Sequence, residues 1–141
     1  MAGSPNFPYT TYSVPIQLSH ASSTTTPTTI VAAQANGCLI GGLITSNTDN
    51  TNAYALGLYS SSGGSNFLIA TINIPANSGN AAGTAAIDMI NGQSTNLPHL
   101  QVDAFGNNYM ILDATTSLSV LPTSAISSPK LINIMPQIGA F

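Results

Sequence analysis

The chain has 141 residues, 43% of them hydrophobic but only 4% charged, against about a quarter charged in an ordinary globular protein. There is no Glu and no Arg, one Lys (Lys130) and four Asp (Asp49, Asp88, Asp103 and Asp113), so Ser, Thr and Asn carry the polarity. A single cation cannot supply the phosphate neutralisation from which nucleic-acid binding draws its affinity, and the same lack argues against anionic membrane surfaces.

The length suits one domain that buries roughly two-thirds of its unfolded surface and needs no metal or disulfide to fold. Free-standing soluble monomers normally keep both signs of charge on their surface, whereas the cores of interfaces are depleted of charge. The composition therefore implies a surface largely covered by partner proteins; the alternative is a neutral, hydroxyl- and amide-rich surface facing water. No basic segment followed by an apolar core opens the chain, so no secretory signal is expected. Cys38 is the only cysteine. It can form no internal disulfide and reads as a small buried hydrophobe.

In chain order, Ser4-Pro5-Asn6-Phe7-Pro8-Tyr9 mixes prolines with aromatics and has no periodicity, which predicts an extended N-terminal arm over residues 1–11. Tyr12, Val14, Ile16 and Leu18 then alternate with polar residues and Pro15, the pattern of an edge strand. A Ser/Thr loop precedes a strand from Thr29 to Ala33, and Gln34 to Gly37 reverses the chain into Cys38 to Ser46, where Gly41-Gly42 suggests a bulge or close packing. The stretch Ile30 to Ile44 is interrupted and too short to span a bilayer. After a polar loop from Asn47 to Asn52, Tyr54, Leu56 and Leu58 alternate. A Gly-containing turn over Ser61 to Ser65 follows, and Leu68, Ala70, Ile72 and Ile74 line one face of the returning strand, so the two form a hairpin. Thr84 is placed to cap one short connecting helix with Ala86, Ile87 and Ile90 on its apolar side and Gly92 closing it. Further strands are expected at Tyr109 to Asp113, Ser117 to Leu121 and Lys130 to Met135, with a weaker one over Leu100 to Asp103.

Roughly seven to nine short strands at eight- to twelve-residue spacing predict an all-β, antiparallel β-sandwich or jelly roll as a single domain over residues 12–141, and the absence of a fixed repeat weighs against propellers and solenoids. Chemistry is poorly provided for. His99 and Asp103 are separated by too much extended chain for a direct hydrogen bond, and Cys38 opens a strand rather than a helix N-terminus that would activate it. Two histidines and one cysteine have no zinc spacing, and the Asn47 to Asn52 loop has one carboxylate and no bidentate Glu for Ca²⁺. No nucleophile elbow, phosphate loop or metalloprotease motif is present. The sequence thus predicts no enzyme, no cofactor and no metal site.

Several segments, in order, resemble small virion-associated structural proteins of tailed bacteriophages: Ser4-Pro5-Asn6-Phe7, Thr29-Ile30-Val31-Ala32 running into Ala35-Asn36-Gly37, Ile44-Thr45-Ser46-Asn47-Thr48-Asp49, Gly57-Leu58-Tyr59 and Ile74-Pro75-Ala76-Asn77-Ser78-Gly79. The resemblance covers roughly residues 4 to 80 and implies a capsid decoration (cement) protein, or another head or tail component. Its partner would be the major capsid protein or another virion protein. It would be made in the host cytoplasm and located in the virion, stabilising the shell as a homo-oligomer by many weak contacts. Phe7, Tyr9 and Tyr12 in the arm, with Ile138 and Phe141 at the other end, are the candidate inter-subunit anchors. A competing reading is a fibre or spike module that grips host carbohydrate through Tyr54, Tyr59 or Tyr109. A hydrolase using His20, His99 and Cys38 ranks last.

Overall fold

A computed structural model describes residues 10–91, Leu97 and residues 100–141. Eleven strands make up its regular structure: β1 (Thr10–Tyr12), β2 (Ile16–Leu18), β3 (Thr28–Val31), β4 (Cys38–Asn47), β5 (Tyr54–Ser62), β6 (Ser65–Ile74), β7 (Ile87–Asp88), β8 (Gln101–Val102), β9 (Asn108–Leu112), β10 (Ser117–Pro122) and β11 (Ile132–Ala140). A seven-stranded sheet runs β1-β11-β4-β9-β8, with β2 also on β11 and β7 also on β4. A four-stranded sheet runs β3-β10-β5-β6. Every pairing is antiparallel. The inner faces of the two sheets supply the core: Ile40, Leu43, Ile132 and Ile134 from one, and Leu56, Leu58, Ile72, Leu118 and Val120 from the other. An all-β sandwich follows from alternation in the strands, since each buries one face only.

Prolines shape the first sheet. Ile16 pairs with Ile134 and Tyr12 with Ile138, so both strands advance by four residues and β1 and β2 are one strand in a single register. In that register Val14 stands opposite Pro136 and Pro15 opposite Met135, so the interruption gathers two diagonally neighbouring prolines that have no N–H to donate. Because that gap accommodates Pro136, β11 continues past it to Ala140, well beyond the Met135 at which the sequence pattern ends.

Two bulges redirect side chains. In β4, Gly42 pairs with Gln137 and Ile40 with Ile138, leaving Gly41 as the extra residue foreseen at the Gly-Gly pair. In β6, Ala70 pairs with Leu58 but Leu68 with Tyr59, so Ile69 is extra. That bulge moves Leu68 off the inward face it was expected to share with Ala70, Ile72 and Ile74, and leaves it exposed.

The expected helix after Thr84 is not formed, and no residue among those described is helical. Instead β7 pairs Ile87 with Thr45 and Asp88 with Ile44. The Met89 amide donates to the Leu43 carbonyl at 3.0 Å, and Met89 and Ile90 are fully buried. A helix this short carries little stability of its own, so strand pairing that buries two large side chains wins. Gly92 lies outside the described residues.

The turn before β4 has an exacting geometry. Gly37 has φ +82°, and a Cβ there would sit 2.6 Å from the Leu112 carbonyl oxygen. Gly63, in the β5–β6 turn, also has positive φ (+59°) but nothing within 4 Å. Gly37→Ala is therefore expected to cost well over about 1 kcal/mol, and clearly more than Gly63→Ala, in urea denaturation; equal losses would show that the close approach to Leu112 is unimportant.

Candidate functional site

The few titratable groups are occupied by the fold. Asp49 is buried, and its partners among the described residues are neutral donors: its Oδ1 accepts the amides of Thr51 (2.9 Å) and Asn52 (3.0 Å), and its Oδ2 accepts Asn52 Nδ2 (3.0 Å) and the Tyr54 hydroxyl (2.7 Å). Donors on both oxygens, the Tyr54 hydroxyl foremost, hold the carboxyl far below the ordinary 3.8. A carboxylate so wrapped in N–H and O–H groups is a loop organiser and has no oxygen turned toward a Ca²⁺. Asn47 completes the cluster, accepting the Asp49 amide at 2.8 Å and donating to the carbonyls of Asn52 (2.9 Å) and Pro75 (3.2 Å).

The other acids do similar work. Asp103 Oδ1 accepts the amides of Phe105 and Asn107, both at 2.8 Å, and Asp113 Oδ1 accepts Thr115 at 2.9 Å. Bonds from Asn107 lower the first carboxyl, and bonds from Thr116 and Thr115 lower the second. Asp88 Oδ1 accepts the amides of Leu43 (3.0 Å) and Ile90 (2.9 Å) and so anchors β7. Cys38 is in the core, where burial pushes its thiol up and away from a reactive thiolate. His20 sits in an exposed turn, and His99 lies outside the described residues. Among the described residues no group of three or more His, Cys, Asp or Glu side chains could hold a metal, and no helix is long and apolar enough to cross a membrane.

The candidate anchors are only partly brought together. Phe7 and Tyr9 lie outside the described residues. Tyr12 and Ile138 are register partners, but Ile138 is buried in the chain's own core and Tyr12 is half-buried against it. Phe141 is half-buried, its amide donating to the Gly37 carbonyl at 3.3 Å and its carbonyl accepting Asn36 Nδ2 at 3.2 Å. Thr10 and Thr11, assigned to the arm by sequence, are already in the sheet.

Two surface features are open to a partner. On the outer face of the seven-stranded sheet, two depressions of about 440 and 570 Å³ adjoin, sharing Leu39, Gly41 and Gln137. Their floor is low because Gly41 has no side chain. One end is apolar, and the other gathers Tyr109, Asn91, Asn107, Asn108, Asp88 and Asp103. Of the three tyrosines considered for a sugar platform, Tyr54 is buried, Tyr59 lies over Gly57, and only Tyr109 lines a depression. Sequence reasoning singled out Gly41-Gly42 and Tyr109 separately; their meeting depends on β4 and β9 being neighbours. The second feature is the β5–β6 hairpin, on which Phe67, Leu68 and Ile69 are all exposed.

No protein-family model matches the chain, and no curated protein sequence matches it.

Two measurements test the electrostatic picture. The Tyr54 hydroxyl donates to Asp49 and accepts the Ser127 amide at 2.9 Å. Tyr54→Phe leaves both partners short, and is expected to cost about 1–3 kcal/mol in chemical denaturation; a loss near zero would contradict the role given to that hydroxyl. Since folded Asp49, Asp103 and Asp113 titrate below their ordinary 3.8, the stability they contribute is complete above about pH 4 and drains away as pH falls further. The thermal midpoint should follow that course, and Asp49→Asn should flatten the acid limb; an unchanged slope in the variant would refute it.

Proposed function

We propose that this protein is a non-enzymatic structural component of a larger protein assembly. The observation that carries this reading is the coexistence of exposed apolar side chains with an almost uncharged chain. Phe105 is 91% exposed, and Phe67, Leu68, Ile111 and Met135 are each at least half exposed. Large apolar groups left in water on a surface with so little charge mark surfaces meant to be covered. The non-enzymatic reading draws on the use made of the acids, whose carboxylate oxygens accept donors of their own loops, as Asp103 does from Phe105 and Asn107 in the polar depression.

The specific form implied by the sequence resemblance is a capsid decoration protein on a phage head, bound to the major capsid protein. The strand order supports a jelly roll as the scaffold: β5–β6, β4–β9, β3–β10 and the β1/β2–β11 pair nest as successive rungs of one long hairpin, alternating between the two sheets. A rolled hairpin of this kind presents broad sheet faces to neighbours in a shell.

The test is co-sedimentation of the purified protein with empty phage shells, read together with shell melting. Retention with a raised melting temperature is the expected result; no retention on any shell tried would remove the decoration role. A variant lacking residues 1–9 keeps β1 intact but removes Phe7 and Tyr9, and weaker retention is expected if they are anchors.

A second reading has one specific observation in its favour. Tyr109 beside the Asn91, Asn107 and Asn108 amides and two carboxylates is the kind of lining that receives an uncharged polyhydroxylated ligand. Reproducible binding on a glycan array, abolished by Tyr109→Ala, would favour a carbohydrate-binding module over a shell component.

A further inference from the structure

Among the described residues the outer edges of the two sheets are β1 with β2, β7, β8, β3 and β6, and all but β6 are blunted; β7 has only two residues. β1 and β2 are broken at Pro15, β8 has two residues, and β3 has four residues with Pro27 just before it and a bulge within it. Short length, proline and bulges are the ordinary means by which a protein protects an edge from pairing with another chain. β6 differs. Although it too is bulged, at Ile69, it is ten residues long, contains no proline and no charge, and pairs only with β5.

The same strand carries the apolar residues that its own fold leaves uncovered. Phe67 pairs with Ser60, on the core-facing side of β5, yet on the edge strand it is 59% exposed. Leu68 faces the other way, beside Tyr59 over Gly57, and is 58% exposed. Apolar side chains therefore project from both faces of one hairpin, which a ligand in a one-sided groove could not cover. A strand laid along the edge covers both.

We propose that β6 pairs antiparallel with β6 of a second copy about a two-fold axis near Phe67–Ile69, doubling the four-stranded sheet across the dimer. Antiparallel pairing makes an edge complementary to itself, and a two-fold interface uses up both copies' edges and closes. Charge points to the same occupant. A partner selected by charge finds nothing on β6 to recognise, while a second copy brings an equally neutral strand and a net charge of only −3 to oppose approach. Phe67 and Leu68 of each copy would then pack beside their symmetry mates on opposite faces of the joined sheet.

This inference stands on the edge geometry, independently of the shell role. Analytical ultracentrifugation of the purified chain should give twice the 14.4 kDa chain mass. Leu68→Lys and Ile69→Lys, at exposed positions, should shift it to 14.4 kDa with an unchanged circular dichroism spectrum. Thr29→Lys on the β3 edge should leave the dimer intact. A monomeric or larger wild-type species, or a dimer that survives both β6 changes, overturns the proposal. If the variants do not fold, hydrogen exchange on the wild type decides: β6 amides should be protected more strongly at high than at low protein concentration, and equal protection overturns it. A monomer that still binds shells would sink the pairing alone, and a dimer that binds none would sink the shell role alone.

Discussion

Burying a carboxylate in a protein with one lysine forces a particular solution, and the end of the sandwich is organised around it. Among the described residues the charge of Asp49 is met by four neutral hydrogen-bond donors, and each donor fixes a piece of chain. The amides of Thr51 and Asn52 set the β4–β5 loop. The Tyr54 hydroxyl passes the contact on to Ser127, in the segment before β11. Asn47 reaches Pro75, and the Asp49 carbonyl accepts the Asn77 amide at 2.7 Å, so the chain leaving β6 is held as well. The ionised side chain thus ties its own loop to the segment at Ser127, with dipoles rather than opposite charges as its partners, while the Asp49 carbonyl and the Asn47 side chain hold the chain leaving β6.

The rest of the structure applies the same economy to backbone groups. Pro15 and Pro136 would each disrupt a ladder if placed separately, but one register step apart on facing strands they share a single gap, and the flanking register is kept on both sides. Gly41 absorbs an extra residue in β4 and leaves a low floor on the outer face of the sheet. The bulge at Ile69 has the opposite effect, turning Leu68 out of the sandwich and making the β5–β6 hairpin apolar on both faces. Irregularities in the ladders, more than the ladders themselves, determine what the surface offers to a partner.

Charge depletion connects the two levels. With one lysine in the chain, the acids are met by hydrogen-bond donors and organise loops or, at Asp88, anchor a strand; with few surface charges, the exposed apolar groups have little of the usual charged rim. Both consequences come from composition, and the proposed role as a component of a larger assembly rests on them.

From the sequence by itself came the all-β class, most strand positions, the β5–β6 hairpin, the bulge at Gly41-Gly42 and the burial of Cys38, because alternation, turn glycines and charge are local properties of the chain. The helix after Thr84 failed because its apolar spacing satisfied a helix and a strand equally, and the choice was made by the open flank of β4, which no local pattern reveals. The length of β11 was hidden for a related reason: a proline forbids a ladder only if its missing N–H faces a donor-requiring neighbour, and that neighbour is far away in sequence. Leu68 looked like a core residue until a one-residue shift against β5 reversed its face. The depression at Gly41 and Tyr109, and the undefended edge at β6, exist only through strand order and register. Those are decided by non-local pairing, where the tertiary structure chooses among partners that the sequence leaves equivalent.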